Sequence, residues 1–300
     1  MKTTVRDTEA FANILKEELM KQLDPDIYSI IIEKMPKNNQ VKTGICVRRG
    51  NCGAVLYAED ILEDLEENPR PVEMIAQEIA QNMVQNLPAV TPQEIEELMK
   101  WENVQNSIEL RLVNTDRNKV LLASSPHRDF FDLSLVYYVA VNSRASARVQ
   151  NHLMQNWGVS EEELFNAGCK TMREKHPVRV RTIVSAMQNM IPCFAIEPPE
   201  DAVPLYMLGD SSEPFLSSAI VYSDAVKELA VKCQTDIYII PSSVHELLLM
   251  PKCSGVDEMS ILQMVWIVNR TQVSEEDFLS DNIYVYHYES GEFDIIRQPE

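Results

Sequence analysis

Ile27-Tyr-Ser-Ile-Ile-Ile-Glu-Lys-Met35, Pro36-Lys-Asn-Asn-Gln40 and Val41-Lys-Thr-Gly-Ile-Cys-Val-Arg-Arg49 follow one another without a break. The outer runs are rich in β-branched residues and the middle one is turn chemistry, so the stretch predicts a hairpin. Gly50-Asn-Cys-Gly53 then turns the chain into a third short strand, Ala54–Tyr57. Upstream, Phe11, Ile14, Leu15 and Leu19 recur at helical spacing over 7–22. Asp24-Pro25 ends that helix. Downstream, Glu59 and Asp60 open an acidic helix, placed where the positive helix N-terminus favours them. Asn68-Pro-Arg-Pro71 breaks it, and residues 72–87 carry Ile75, Ile79 and Met83 on one helical face. Helices bracket these strands instead of alternating with them, which is the pattern of an α+β protein.

The same mixture continues to the C-terminus. Thr91-Pro-Gln-Glu94 and Ser160-Glu-Glu-Glu163 are helix starts with a capping hydroxyl and a glutamate three residues on. Strands are expected over 108–113, 133–141, 145–150, 205–208, 217–222, 236–240 and 244–250, with Ala123–Asp132 a loop and 259–268 an apolar helix. A closing hairpin is expected over 283–288 and 292–296, around Glu289-Ser-Gly291. Leu87-Pro-Ala-Val-Thr-Pro92 and the four-proline stretch 191–204 are the breaks in pattern. They divide the chain into α+β modules 1–90, 91–198 and 199–300, with antiparallel or mixed sheets flanked by helices. Ala54-Val-Leu-Tyr-Ala-Glu-Asp-Ile61 echoes Ala219-Ile-Val-Tyr-Ser-Asp-Ala-Val226, and Val149-Gln-Asn-His152 begins a looser third copy. Two or three related modules would produce such an echo. Ordinary strand-to-helix capping explains most of it.

The 300 residues carry a formal net charge of −19. Residues 201–300 hold 17 acids and five bases, giving −12. Such a surface repels phosphate backbones, so no nucleic-acid partner is expected. Nothing reads as a membrane span or a secretory leader. Six cysteines are scattered along the chain, as in a reduced cytoplasmic protein with buried thiols. No Gly-rich phosphate loop occurs, and the five histidines lack metal-ligand spacing, so no cofactor and no metal is expected. Cys46 and Cys52 flank a turn, but two ligands do not make a zinc site.

Two polar constellations remain as catalytic candidates. In Pro241-Ser-Ser-Val-His-Glu246, a strand places Ser243 and His245 on one face and Glu246 on the other. A carboxylate from elsewhere in the fold, orienting the imidazole, would make this pair a nucleophile and its base. The Gly-x-Ser-x-Gly elbow of such hydrolases is missing, and Pro-Ser-Ser is ordinary turn chemistry. In the other, His127 and Asp129 flank Arg128, close to Asp132. Arg128 is suited to clamp a carboxylate or phosphate, or to pair with an acid in a turn. The bases Lys170, Arg173, Lys175, Arg179 and Arg181, with His176, are expected to dock on the acidic C-terminal third. Tyr284, Tyr286 and Tyr288 share one strand face. Buried, they form a packing row; exposed, a recognition surface.

Five stretches taken together carry a family resemblance. They are Pro126-His-Arg-Asp-Phe-Phe-Asp-Leu-Ser-Leu-Val-Tyr-Tyr138, Asn156-Trp-Gly-Val-Ser-Glu-Glu-Glu-Leu164, Asp236-Ile-Tyr-Ile-Ile-Pro-Ser-Ser-Val-His-Glu246, Val268-Asn-Arg-Thr-Gln-Val273 and Leu279-Ser-Asp-Asn-Ile-Tyr-Val-Tyr286. In this order they resemble an uncharacterised domain-of-unknown-function family seen mainly in clostridial Firmicutes. The resemblance implies a bacterial cytosolic protein and brings no reaction, cofactor or site residue. The expectation is therefore an interaction or adaptor protein with a protein partner and no catalytic activity. The alternative is a hydrolase-like enzyme using His245 with Ser243, or His127 with Asp129.

Overall fold

The computed structural model describes residues 5–50, 52–85, 91–142, 145–185, 204–209, 215–252 and 256–299. The fold is α+β, with three antiparallel sheets and flanking helices. Two compact units comprise Met1–Lys100 with Val141–Ser146, and Trp101–Ala140 with Ala147–Glu300. The expected breaks at 87–90 and 191–203 lie outside the described residues.

In the first unit, helix α1 (Val5–Gln22) precedes strands β1 (Tyr28–Lys37), β2 (Gln40–Arg49) and β3 (Cys52–Tyr57). Helices α2 (Ala58–Glu67), α3 (Val72–Gln85) and α4 (Pro92–Leu98) follow. The hairpin register runs from Tyr28 opposite Arg49 to Lys37 opposite Gln40. Asn39, at φ 59°, sits in the left-handed region that a two-residue hairpin turn requires. Leu15 and Leu19 of α1, Ile45 and Val47 of β2, and Ala76 of α3 meet in one core. Glu59 also ties α2 to the central strand, because both its carboxylate oxygens accept the Thr43 N–H at 2.9 Å. Thr91 and Glu94 form the expected reciprocal cap of α4.

The second unit holds two sheets. One has the order β4-β6-β5, from β4 (Ile108–Asn114), β5 (His127–Phe130) and β6 (Leu133–Asn142), with β7 (Ala145–Arg148) also on β6. The other has the order β13-β12-β10-β11-β9-β8. Its strands are β8 (Val180–Thr182), β9 (Tyr206–Leu208), β10 (Ile237–Ile240), β11 (Leu247–Pro251), β12 (Ile283–Tyr286) and β13 (Phe293–Ile296). The helices are α5 (Trp101–Val104), α6 (Lys119–Ala123), α7 (Asn151–Trp157), α8 (Glu161–Lys175), α9 (Ala219–Tyr222), α10 (Ala225–Cys233) and α11 (Glu258–Thr271). Helix α8, capped reciprocally by Ser160 and Glu163, lies against β4. It approaches so closely that a Cβ on Gly168 would stand 2.9 Å from Leu110 Cγ.

Three expectations need correction. Ala123–Asp132 is not one loop: α6 ends there and β5 runs through it. Residues 217–222 are helical, although Ile220-Val-Tyr222 has strand propensity. Tertiary bonds override that preference. The buried Ser217 and Ser218 hydroxyls donate to the carbonyls of Val244 and Leu110, at 2.7 and 2.8 Å. The echo between 54–61 and 219–226 therefore joins a strand to a helix and marks no repeated element. The basic stretch meets the C-terminal third through backbone carbonyls: Arg173 donates to Tyr222 O at 2.7 Å and Arg181 to Gly209 O at 3.4 Å.

Candidate functional site

Ser243 and His245 do not sit on a strand, because β11 begins only at Leu247. They belong to a tight turn closed by Ser243 N–H donating to Glu246 O at 3.3 Å. Within it, the hydroxyl of Ser243 accepts the backbone N–H of His245 at 3.1 Å. The serine thus bonds the histidine's backbone and not its ring.

The ring has found the carboxylate that a catalytic reading demands. His245 Nε2 is 3.0 Å from Oδ1 of Asp277, an acid from the loop after α11. The other nitrogen is occupied as well: Nδ1 accepts the backbone N–H of Phe215 at 3.2 Å. An N–H pointing at Nδ1 requires that nitrogen to be unprotonated, so the proton of the neutral ring is on Nε2, directed at Asp277. Neither nitrogen is left to take a proton from Ser243. The imidazole instead joins three segments, and its tilted contact with the Phe215 ring (centroids 5.2 Å apart) adds to the joint. Phe215 has φ 65°, a costly conformation for a bulky residue, and its captured N–H helps hold it. The Phe215 ring also covers Arg111, whose guanidinium lies 4.0 Å from that centroid and 3.9 Å from that of Tyr138.

Asp277 was missed in the sequence, yet it carries a local signal. Ser274-Glu-Glu-Asp277 has the spacing of a side-chain turn, and Ser274 Oγ donates to Asp277 Oδ2 at 2.8 Å. Nothing local points that aspartate at position 245. The Glu246 side chain has no hydrogen-bond partner among the described residues. Burial pushes its carboxyl above the ordinary range, and the neighbouring His245 offsets part of that.

The second constellation separates along β5. His127 Nδ1 lies 2.9 Å from Ser125 O, to which it donates, while Asp129 accepts the Ser134 hydroxyl at 3.2 Å. They occupy the same strand face but do not bond each other. Arg128 points the other way. Its Nε and Nη2 donate to Glu161 at 3.1 and 2.8 Å, Nη2 also reaches Glu162, and the guanidinium lies 3.8 Å from the Phe165 centroid. The anion clamp is filled by the protein's own carboxylates at the start of α8. Tyr137 donates to the same Glu161. Burial first, and then that carboxylate, hold the Tyr137 phenol far above its usual range. Burial alone would raise Glu161, but Arg128 and Tyr137 together keep it low. Asp132 accepts Ser280 Oγ at 2.6 Å, Asn282 Nδ2 at 2.9 Å and Tyr284 OH at 2.6 Å. This joins the β5–β6 turn to β12.

Two surface features stand apart from these networks. Helix α11 buries Ile261, Leu262 and Val265, yet leaves Met259, Met264, Trp266, Ile267 and Val268 exposed, Met264 at 61%. The apolar reading of this helix is right, but it is apolar on two faces. The three tyrosines form a gradient: Tyr284 is fully buried, Tyr286 buried, and Tyr288 exposed beside an open cleft.

The fold and these sites define an α+β protein whose conspicuous polar groups are wired into its own scaffold. Within that class, the chain belongs to a family of unknown function (DUF5688), whose model matches residues 8–288. Neither a curated protein nor a solved structure matches it. No helix among the described residues is long and apolar enough to cross a membrane.

Proposed function

We propose that this is a non-catalytic interaction protein of the bacterial cytosol, and that it engages a protein partner through the outer face of α11. The clostridial resemblance and the buried thiols of Cys46 and Cys169 support the compartment. The observation that carries the proposal is that Met259, Met264, Trp266, Ile267 and Val268 stand exposed around the outer half of a helix already packed on its inner side. Apolar surface concentrated in this way marks interaction sites. Trp266 is also pre-set. The Arg270 guanidinium lies 4.2 Å from its ring centroid and is held by both oxygens of Asp281, at 3.0 and 3.2 Å. Tryptophan and arginine dominate interface hot spots, and a pre-set anchor loses little entropy on binding. Asp257 and Glu258 precede these residues in sequence, and Glu275, Glu276 and Asp281 follow them. The complementary partner has an apolar patch rimmed by lysine or arginine.

The test is capture of a partner by the full chain and by Met264→Glu and Ile267→Glu. Each changes an exposed side chain and is expected to leave folding intact. Loss of the partner from both variants supports the reading, and equal capture by all three chains removes it. The hydrolase alternative has the His245–Asp277 pair in its favour and the occupied Nδ1 against it. Turnover by purified protein that disappears in His245→Ala would establish that alternative instead.

A further inference from the structure

The open cleft beside Tyr288 is the second place where the molecule presents unsatisfied chemistry. It has a volume of about 530 Å³ and lies between the helical segment 220–231 and the turn of the closing hairpin. Pockets of a few hundred Å³ accommodate small molecules. Its apolar part is formed by Ile220, Tyr286 and Phe293, the first two buried and the third part-buried. Tyr286 and Phe293 meet edge-on with centroids 5.0 Å apart, which leaves a rigid aromatic wall.

The polar part consists of exposed charged side chains on both walls of the cleft. Lys227 and Asp224 project from the helical side and Glu289 from the hairpin side, all exposed. None of these three side chains has a hydrogen-bond or ion-pair partner among the described residues. Among the described residues, Lys227 is the one basic side chain lining the cleft. Elsewhere, Arg128, Arg270 and Asp132 are consumed by internal bonds. Here both signs of charge stand open beside an aromatic wall, and the hairpin that carries Glu289 is fixed. Asp236 accepts the Tyr288 N–H at 3.0 Å and contacts His287 Nδ1 at 3.2 Å, and Gly291 supplies the left-handed turn at φ 72°.

The geometry points to a binding site for a small zwitterion with a flat apolar side chain, of the kind of an aromatic α-amino acid. The ligand's carboxylate pairs with Lys227, its ammonium with Glu289 and Asp224, and its ring packs on Tyr286 and Phe293. No covalent step is involved. This site is independent of α11, so its variants and those of the partner face report separately.

The experiment is an NMR or calorimetric titration of the full chain with L-phenylalanine, L-tyrosine and L-tryptophan. L-phenylalaninamide, which lacks the carboxylate, and 3-phenylpropionate, which lacks the ammonium, are titrated alongside. The expected result is saturable binding of an amino acid, weakened about tenfold or more when either charge is removed. Lys227→Met is expected to lower affinity for the amino acid about tenfold while leaving the weak binding of the amide unchanged. Glu289→Gln is expected to weaken ammonium-bearing ligands and spare 3-phenylpropionate. Since these side chains make no bond among the described residues, an unchanged melting temperature in both variants separates lost binding from lost folding. Absence of saturable binding by all three amino acids, or equal affinity for the charge-deleted analogues, overturns the assignment. So does full affinity in Lys227→Met.

Discussion

The phenol of Tyr284 donates to Oδ1 of Asp132 at 2.6 Å, across 152 positions of sequence. Both rings flanking that bond are aromatic neighbours of Tyr284: Phe130 at 5.7 Å and Phe131 at 5.8 Å between centroids. Tyr284 is fully buried and Asp132 part-buried, so loss of the phenol leaves the carboxylate one short of its three donors. Tyr284→Phe is expected to lower stability by about 1–3 kcal/mol in a denaturant titration. A double-mutant cycle with Asp132→Asn measures how much of that belongs to the pair.

Tyr284 also dictates an alkaline response. Burial first, and then the Asp132 charge, raise its phenol above the ordinary value. A group whose folded value is raised contributes stability below its unfolded value, about pH 10, and loses it as pH climbs towards the folded one. Unfolding by base is therefore expected to set in above about pH 10 and to be less steep in Tyr284→Phe. An identical pH profile in the variant would show that other groups control it.

The closing hairpin has the opposite dependence. Burial alone would raise Asp236, but the Tyr288 N–H, His287 and Lys252 outweigh it and hold the carboxyl below the usual range. A depressed carboxyl stabilises above its unfolded value, about pH 4, and that contribution is lost as pH falls through the folded value. The protection of the Tyr288 amide relative to its intrinsic exchange rate is expected to fall as the solution is acidified. In Asp236→Asn the same amide should be less protected at neutral pH, with a protection factor that changes little on acidification.

Glu246 has the reverse sign. Burial raises its carboxyl, so the ionised form opposes folding at neutral pH. Glu246→Gln is expected to melt at a higher temperature than wild type at pH 7, with the gap closing as the solution is acidified towards about pH 4. A lower melting temperature at pH 7 would mean that the carboxylate has a favourable role.

Gly168 tests the packing of α8 on β4. Alanine is a better helix former than glycine, which on propensity alone should stabilise. The Cβ would stand 2.9 Å from Leu110 Cγ, and Leu110 is fully buried with nowhere to retreat. Gly168→Ala is expected to cost about 1–3 kcal/mol by chemical denaturation, the usual range for overpacking.

The local parts of this fold are legible residue by residue. The caps at Thr91 and Ser160, the β1–β2 turn at Asn39, the acidic opening of α2 and the turn at Gly291 each depend on bonds or dihedrals within a few positions. The α+β class follows from those elements and their spacing. What neighbours in sequence do not decide is which acid reaches which base. Helix formation at Ala219–Tyr222 rests on carbonyls at positions 110 and 244, and no pattern near 219 records them. His245 meets Asp277 and Phe215, Arg128 meets Glu161, and Asp132 collects three donors from 280–284. Each of these pairings exists only once the sheets have packed, because side-chain hydrogen bonds reach about 3 Å and chain separation carries no information at that scale. Composition likewise marked α11 as apolar, but only burial of its inner face shows that a second apolar face is left over.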